Sequence, residues 1–221
     1  MTYSYEYPHP AVTTDIIVFT VQDDTLKVLL IKRGADPFIN KWALPGGFIK
    51  MDEDTCDCAK RELEEETGVK DVYLEQLYTF SSVDRDPRER VISVAYFTLI
   101  PSEKVTLKPD TDAADAKWFN INELPALAFD HDEILEMAVN RLSAKMTYST
   151  IGLQFMPEKF TLSRLQKVYE ATAGKPLDKR NFRKWILSLD LLEETGEKFA
   201  DGPQRPAMLY RAKDPASYAV F

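Results

Sequence analysis

The sequence predicts an α/β domain followed by a small, mainly helical domain. Three observations predict it. Up to about residue 146, apolar runs with strand-like spacing surround a Glu-rich helical stretch and a second amphipathic helix. From about residue 152 the pattern changes to two short helices and a hairpin, with Gly152 and Pro157 at the junction. The charge changes sign there too. Residues 1–144 hold 15 Lys/Arg against 27 Asp/Glu, and residues 145–221 hold 13 against 9. A net charge of −8 hides this asymmetry, which points to two domains (1–146 and 152–221) with different partners, one a candidate for nucleic acid.

Composition narrows the classes. With 44% hydrophobic and 29% charged residues the chain reads as globular. No apolar run approaches the roughly 20 residues of a membrane span, and the N-terminus lacks the basic and apolar regions of a signal peptide. The two cysteines, Cys56 and Cys58, are two apart on a predicted helix and do not face each other. Neither a disulfide nor a zinc site is expected, and a reducing cytoplasm fits.

The elements follow in order. Residues 12–21 are rich in β-formers, residues 26–33 form a second apolar run, and Asp23-Asp24 between them reads as a hairpin turn. Residues 34–40 read as a loop, and Trp42-Ala43-Leu44-Pro45-Gly46 as a short apolar run ending in a tight turn. From Asp52 or Asp54 the residues favour a helix, with acids at its start and Gly68 as its stop. Cys56, Ala59 and Leu63 fall on one stripe of it, expected to pack inward. Residues 72–80 and 91–100 read as strands. Between them, residues 81–90 are too charged for any core. Residues 117–119 read as a last short strand, and about 132–145 as an amphipathic helix. His131 at its start is expected to be structural.

The Glu-rich helix carries the chemistry. Glu62, Glu65 and Glu66 stand at i, i+3 and i+4, so their carboxylates share a face. Crowded carboxylates repel unless cations neutralise them. Hard divalent ions such as Mg²⁺ or Mn²⁺ suit oxygen ligands best. A charged loop between two strands beside such a helix is a good place for phosphate contacts and a base. Arg85, Arg88 and Arg90 are the candidates for anions, and Asp84, Asp86 and Glu89 for the base.

Residues 47–69 resemble the Nudix box, Gly-x5-Glu-x7-Arg-Glu-(apolar)-x-Glu-Glu-x-Gly-(apolar). Gly47, Glu53, Arg61, Glu62, Leu63, Glu65, Glu66, Gly68 and Val69 fill every fixed place. The resemblance implies an α/β/α sandwich with a mixed sheet that cleaves nucleoside diphosphates linked to another group, using divalent ions. It implies that Glu62, Glu65 and Glu66 ligate metal with a backbone carbonyl near Gly46, and that Glu53 and Arg61 orient those ligands. It also places Arg33, at the end of the second strand, near the phosphates.

The C-terminal residues read differently. A cap at residues 160–163 opens a helix to about Ala173, residues 174–177 turn, and Asp178 caps a second helix, 179–189. That helix carries Lys179, Arg180, Asn181, Arg183 and Lys184 around Phe182, Trp185 and Ile186. Strand-like pieces at 191–194 and 208–211 flank a loop, 195–206. Helix, turn, basic helix and hairpin describe a winged helix-turn-helix. Phosphate contacts from Lys and Arg and base contacts from Arg and Asn are then expected, with Asn181, Arg183 and Lys184 foremost and Lys198 and Arg205 as candidates on the wing.

The whole arrangement resembles the Nudix-related transcriptional regulators of NAD metabolism and their sugar-catabolic relatives. The matching stretches are residues 82–88, 123–131, 160–166 and 177–184. In that group the Nudix domain senses a small molecule and the winged helix binds operator DNA as a dimer. The resemblance therefore implies a homodimeric DNA-binding regulator whose Nudix domain binds ADP-ribose or a similar nucleoside diphosphate derivative. Many members have lost box carboxylates, and this sequence keeps them all, which argues for Mg²⁺-dependent hydrolysis. Two rival readings are a dedicated pyrophosphohydrolase with a dimerising C-terminal domain, and a sugar-sensing regulator without catalysis.

Overall fold

A computed structural model describes residues 5–102, 113–200, 206–214 and 220, with main chain alone at 113 and 114. The chain divides into two compact units. One takes in residues 1–19, 28–98 and 106–138, and the other residues 20–27, 99–105 and 139–221.

The sheet runs β3–β2–β1–β6–β5 and is mixed. Its strands are β1 (Ala11–Gln22), β2 (Thr25–Arg33), β3 (Trp42–Ala43), β5 (Glu75–Phe80) and β6 (Val91–Leu99). β4 (Gly46–Phe48) adds antiparallel to β1, and β7 (Ala113–Asn120) adds to β2. Residues 13–20 of β1 are all buried, without alternation. That pattern belongs to a strand covered on both faces. The β1–β2 turn holds Asp23 and Asp24 at φ of 54° and 57°. A two-residue hairpin turn asks for that left-handed pair, and Asp tolerates it.

Helix α1 (Thr55–Thr67) carries the acidic motif. Asp54 caps it by accepting from the Asp57 N–H, and Gly68 ends it at φ 75°. The buried stripe is Cys58, Ala59, Leu63 and Thr67, whereas Cys56 is only half-buried. The expected stripe starts two residues too early, at Cys56 instead of Cys58. Cys58 turns inward because its thiol meets the Thr14 hydroxyl at 3.4 Å. Helix α2 (His131–Tyr148) follows, longer at both ends than expected.

In the second unit, residues 151–155 form a 3-10 helix in which Ile151, Leu153 and Phe155 are buried. These apolar side chains of the stretch read as a domain junction are core. Gly152 packs so closely on Tyr169 that a Cβ there would lie 2.6 Å from its ring. Helices α3 (Leu162–Ala173) and α4 (Lys179–Ser188) are capped by Thr161 and Asp178, which accept from the N–H groups of Arg164 and Asn181. Tyr169, Phe182 and Trp185 pack ring on ring between them, with centroids 5.4 to 5.6 Å apart. The hairpin of β8 (Leu192–Phe199) and β9 (Ala207–Ala212) follows. β8 runs through the predicted loop as far as Phe199, because a register shift between Glu194 and Lys198 lets Gly196, at φ 77°, stay in the strand. Phe160 and Tyr210 exchange main-chain bonds of 2.9 and 2.8 Å, tying the hairpin to the start of α3.

Candidate functional site

Two glycines fix how α1 meets the sheet. Gly46 crosses β1 so closely that a Cβ would lie 2.0 Å from the Thr14 carbonyl oxygen. At Gly47 a Cβ would lie 2.4 Å from the Glu62 carboxyl carbon, so Glu62 rests on bare backbone. The Gly46 N–H donates to Glu66 Oε2 at 2.8 Å.

Arg61 joins the motif's carboxylates. Its Nε and Nη2 donate to both oxygens of Glu53, at 2.9 and 2.6 Å. Its Nη1 reaches Glu62 at 2.6 Å and Glu65 at 3.1 Å. The bidentate bond from Arg61 and the N–H of Lys50 hold the Glu53 carboxyl down at about 2. Glu66 goes the other way. Burial pushes its carboxyl up to about 8, against the Gly46 N–H and with help from the charges of Glu62 and Asp15.

Among the described residues, no three His, Cys, Asp or Glu side chains converge as a metal cluster. The Arg61 guanidinium serves as the cation for Glu62 and Glu65. The donors nonetheless suit a hard divalent ion: three carboxylates on one helix face, one of them pushed up to about 8 chiefly by burial, beside the Gly46 backbone.

Beside this helix lies a cavity of about 270 Å³, lined in part by Arg33, Gly46, Gly47, Phe48, Glu66, Arg88 and Phe129. Arg33 donates to the carbonyls of Pro37 and Ala35, and its guanidinium sits 4.8 Å from the Phe129 ring centre. Among the described residues it has no carboxylate in ion-pair reach. Burial and the charge of Arg88 lower its pKa, so it is a cation short of an anion. Arg88 makes a bidentate pair with Asp86, at 3.0 and 2.7 Å. It also stands over the rings of Phe48 and Phe129, at 5.3 and 5.9 Å. Phe129 holds this central place at φ 54°.

Arg85 also lines the cavity, but its guanidinium is already committed. It binds Asp130 with two bonds of 2.9 and 2.7 Å, and Asp15 at 3.2 Å. Arg90 bonds to the carbonyls of Ser81, Ser82 and Val91. Of the candidate bases, Asp86 is buried and spent on Arg88, while Asp84 and Glu89 are exposed. His131 is buried. Its Nδ1 accepts from the Leu44 N–H at 2.9 Å, so Nε2 carries the proton and faces Asp15 at 3.4 Å. Burial lowers its pKa and keeps it neutral. Sequence reasoning missed Asp15, Phe129 and Asp130. Asp15 had one visible signal: a lone acid inside an apolar strand.

In the second unit, Lys179, Arg180, Asn181, Arg183 and Lys184 are all exposed on α4, whose inward side is Phe182 and Ile186. Arg183 reaches the Ser163 hydroxyl at 3.5 Å. Lys198 and Phe199 are exposed at the end of β8. Arg205 lies outside the described residues.

Comparison with known proteins agrees with this geometry in both units. The NUDIX domain model matches residues 10–138, and the model described as the NrtR DNA-binding winged helix domain matches residues 152–212. The ADPR responsive transcriptional repressor NtrR of Acinetobacter baylyi is 37% identical over 210 residues, 93% of this chain and 83% of that protein. The ADP-ribose pyrophosphatase of Methanocaldococcus jannaschii is 42% identical over 130 residues, 59% of this chain and 73% of that one. The crystal structure of Shewanella oneidensis NrtR complexed with a 27mer DNA superposes with a TM-score of 0.84 at 39% identity, covering 94% of this chain and 96% of that one. The chain therefore belongs to the Nudix family, in the two-domain group whose Nudix domain is followed by an NrtR-type winged helix.

Proposed function

We propose that this protein is a cytoplasmic, homodimeric transcriptional repressor that binds DNA through its winged helix and ADP-ribose through its Nudix domain. One observation carries the reading: the likeness to an ADP-ribose-responsive repressor runs through 93% of the chain, across both domains. The site fits that ligand. Arg33, which among the described residues has no carboxylate in ion-pair reach, takes the diphosphate, with Arg88 beside it. Phe48 and Phe129 offer apolar faces to the ring groups. On α4, Lys184 and Lys179 suit phosphates, and Arg180, Asn181 and Arg183 suit base edges in a major groove.

We further propose that the Nudix domain hydrolyses its ligand with Mg²⁺ or Mn²⁺. The motif's complete set of carboxylates supports this, as does 42% identity to a pyrophosphatase. Glu62, Glu65, Glu66 and the Gly46 carbonyl would hold the ion, with Glu53 and Arg61 positioning them. Bound there, the ion supplies charge neutralisation for the diphosphate and a more acidic water. Arg61 keeps its two bonds to Glu53 while releasing Glu62 and Glu65.

The same carboxylates favour a second reading, a dedicated hydrolase with a dimerising C-terminal domain. One experiment separates the readings. ADP-ribose is added with and without Mg²⁺ while release of AMP and retention of DNA are both followed. The proposal expects release only with Mg²⁺, lost in Glu65→Gln and Glu66→Gln with the fold kept, and DNA retention that responds to ADP-ribose. Absence of turnover sinks hydrolysis, and absence of any DNA preference leaves the dedicated hydrolase.

A further inference from the structure

Four carboxylates line the cavity beside α1: Asp15, Asp36, Glu66 and Asp86. The protein itself occupies three of them. Asp15 accepts from Arg85 and from the Ser93 hydroxyl, Glu66 from the Gly46 N–H, and Asp86 from Arg88. Asp36 differs. It is exposed, and among the described residues its carboxylate has neither a hydrogen-bond donor nor an ion-pair partner. It is the lining acceptor left over for a ligand.

Asp36 is held beside the cation assigned to the diphosphate. Arg33 donates to the carbonyls of Ala35 and Pro37, the residues on either side of Asp36. The same loop, residues 34–40, packs Phe38 edge-on against Phe129 with ring centroids 4.8 Å apart. Phe129 in turn has the Arg33 guanidinium over its ring. One short stretch of chain thus brings an unpaired carboxylate next to an anion-seeking guanidinium and an apolar ring, all three lining one cavity.

A ligand whose ring meets Phe129 and whose diphosphate meets Arg33 carries its adenosine ribose between the two. A ribose presents its 2′- and 3′-hydroxyls on adjacent carbons, two donors side by side. A carboxylate has two oxygens to accept them, and bonds to an ionised acceptor are roughly twice as strong as neutral ones. In dinucleotide sites an acid plays this part for a free 2′-hydroxyl, and an arginine accommodates a 2′-phosphate. Here the lining arginines are taken: Arg85 by Asp130 and Asp15, Arg88 by Asp86, and Arg33 by the diphosphate it is assigned. A 2′-phosphate would set a further roughly 1.5 to 2 negative charges against Asp36 with no cation to balance them.

We propose that Asp36 is a specificity-determining residue of the cavity: its carboxylate takes the 2′- and 3′-hydroxyls of the adenosine ribose and rejects ligands phosphorylated at the 2′ position. This rests on the reading above that the Nudix domain binds ADP-ribose. It concerns the first unit alone.

The test uses full-length wild type, Asp36→Asn and Asp36→Ala. Asp36→Asn removes the charge and keeps an acceptor, and Asp36→Ala removes both. Three ligands are titrated by calorimetry without divalent ions, so that none is hydrolysed: ADP-ribose, the analogue lacking the adenosine 2′-hydroxyl, and ADP-ribose 2′-phosphate. The readout is the ratio of affinities between ligands within one protein, which a general loss of stability does not move. Wild type should prefer ADP-ribose to each analogue by about tenfold or more, the worth of one hydrogen bond to a charged group. Rejection of the 2′-phosphate should fall to within about threefold in both variants, and the preference for the 2′-hydroxyl should do so in Asp36→Ala. Wild-type preferences that persist in both variants, or a wild type that binds all three ligands alike, overturn the proposal alone. A wild type that binds none of them overturns the ADP-ribose reading and the proposal with it.

Discussion

At Gly46 and Gly47 the same substitution should have opposite consequences. Gly46→Ala would place a methyl 2.0 Å from a backbone oxygen of β1, which has no room to yield. It should cost at least about 1–3 kcal/mol of stability, the usual penalty of overpacking, read as a lower midpoint in urea. Gly47→Ala meets instead the far end of the Glu62 side chain. That carboxylate can swing away, so stability should hold while Mg²⁺ affinity drops. Equal stability losses in the two variants would refute this account of the glycines. Glu66 gives a prediction in pH. Its carboxyl is raised to about 8 in the folded chain, above the unfolded value. The neutral form is thus favoured by folding. Its contribution to stability is complete below about pH 4 and is lost as pH rises through about 8. A divalent ion needs the charged form, so Mg²⁺ uptake near neutral pH should release a proton, visible as a dependence of binding heat on buffer ionisation. Glu66→Gln should remove that dependence. Mg²⁺ uptake without proton release would contradict the arrangement around Gly46.

The helices were legible because their signals are local. Asp54, Thr161 and Asp178 lie within three residues of the N–H groups they cap, and Gly68 and Gly174 end their helices with positive φ. The Glu53–Arg61 pair was legible for a similar reason, being held by the spacing of one motif. What could not be read was set by distant partners. Arg85 looked like an anion contact because nothing near it in sequence shows that Asp15 and Asp130, 70 and 45 residues away, take up its donors. The 3-10 helix at 151–155 hid behind a glycine and a proline, and only Tyr169 explains why Gly152 is there. The reading of α4 can be tested on its own. Lys184→Ala should weaken all DNA sequences alike and lower the salt dependence of binding by about one unit of slope. Arg183→Ala and Asn181→Ala should cost about 1–3 kcal/mol on a selected duplex and much less on random DNA. Uniform losses from all three in a filter-binding series would remove base recognition from this helix.

The whole chain is acidic, at −8, so bulk attraction cannot draw it to DNA. Binding has to come from the local basic face of α4 against a net repulsion, and should be steeply lost with added salt. A single winged helix reads one half-site, and two-fold dimers read palindromes whose half-sites are spaced by whole turns of duplex. Light scattering at micromolar concentration should therefore give the mass of two chains, and a monomer with and without DNA would count against repression. The central claim, that one molecule reads ADP-ribose at one domain and DNA at the other, is tested most directly by reciprocity. The DNA affinity of the wild type is measured with and without saturating ADP-ribose, and its ADP-ribose affinity with and without saturating duplex. Linkage requires both ratios to be the same number. The account predicts equal ratios of about 5 or more. Ratios of one in both titrations would contradict it.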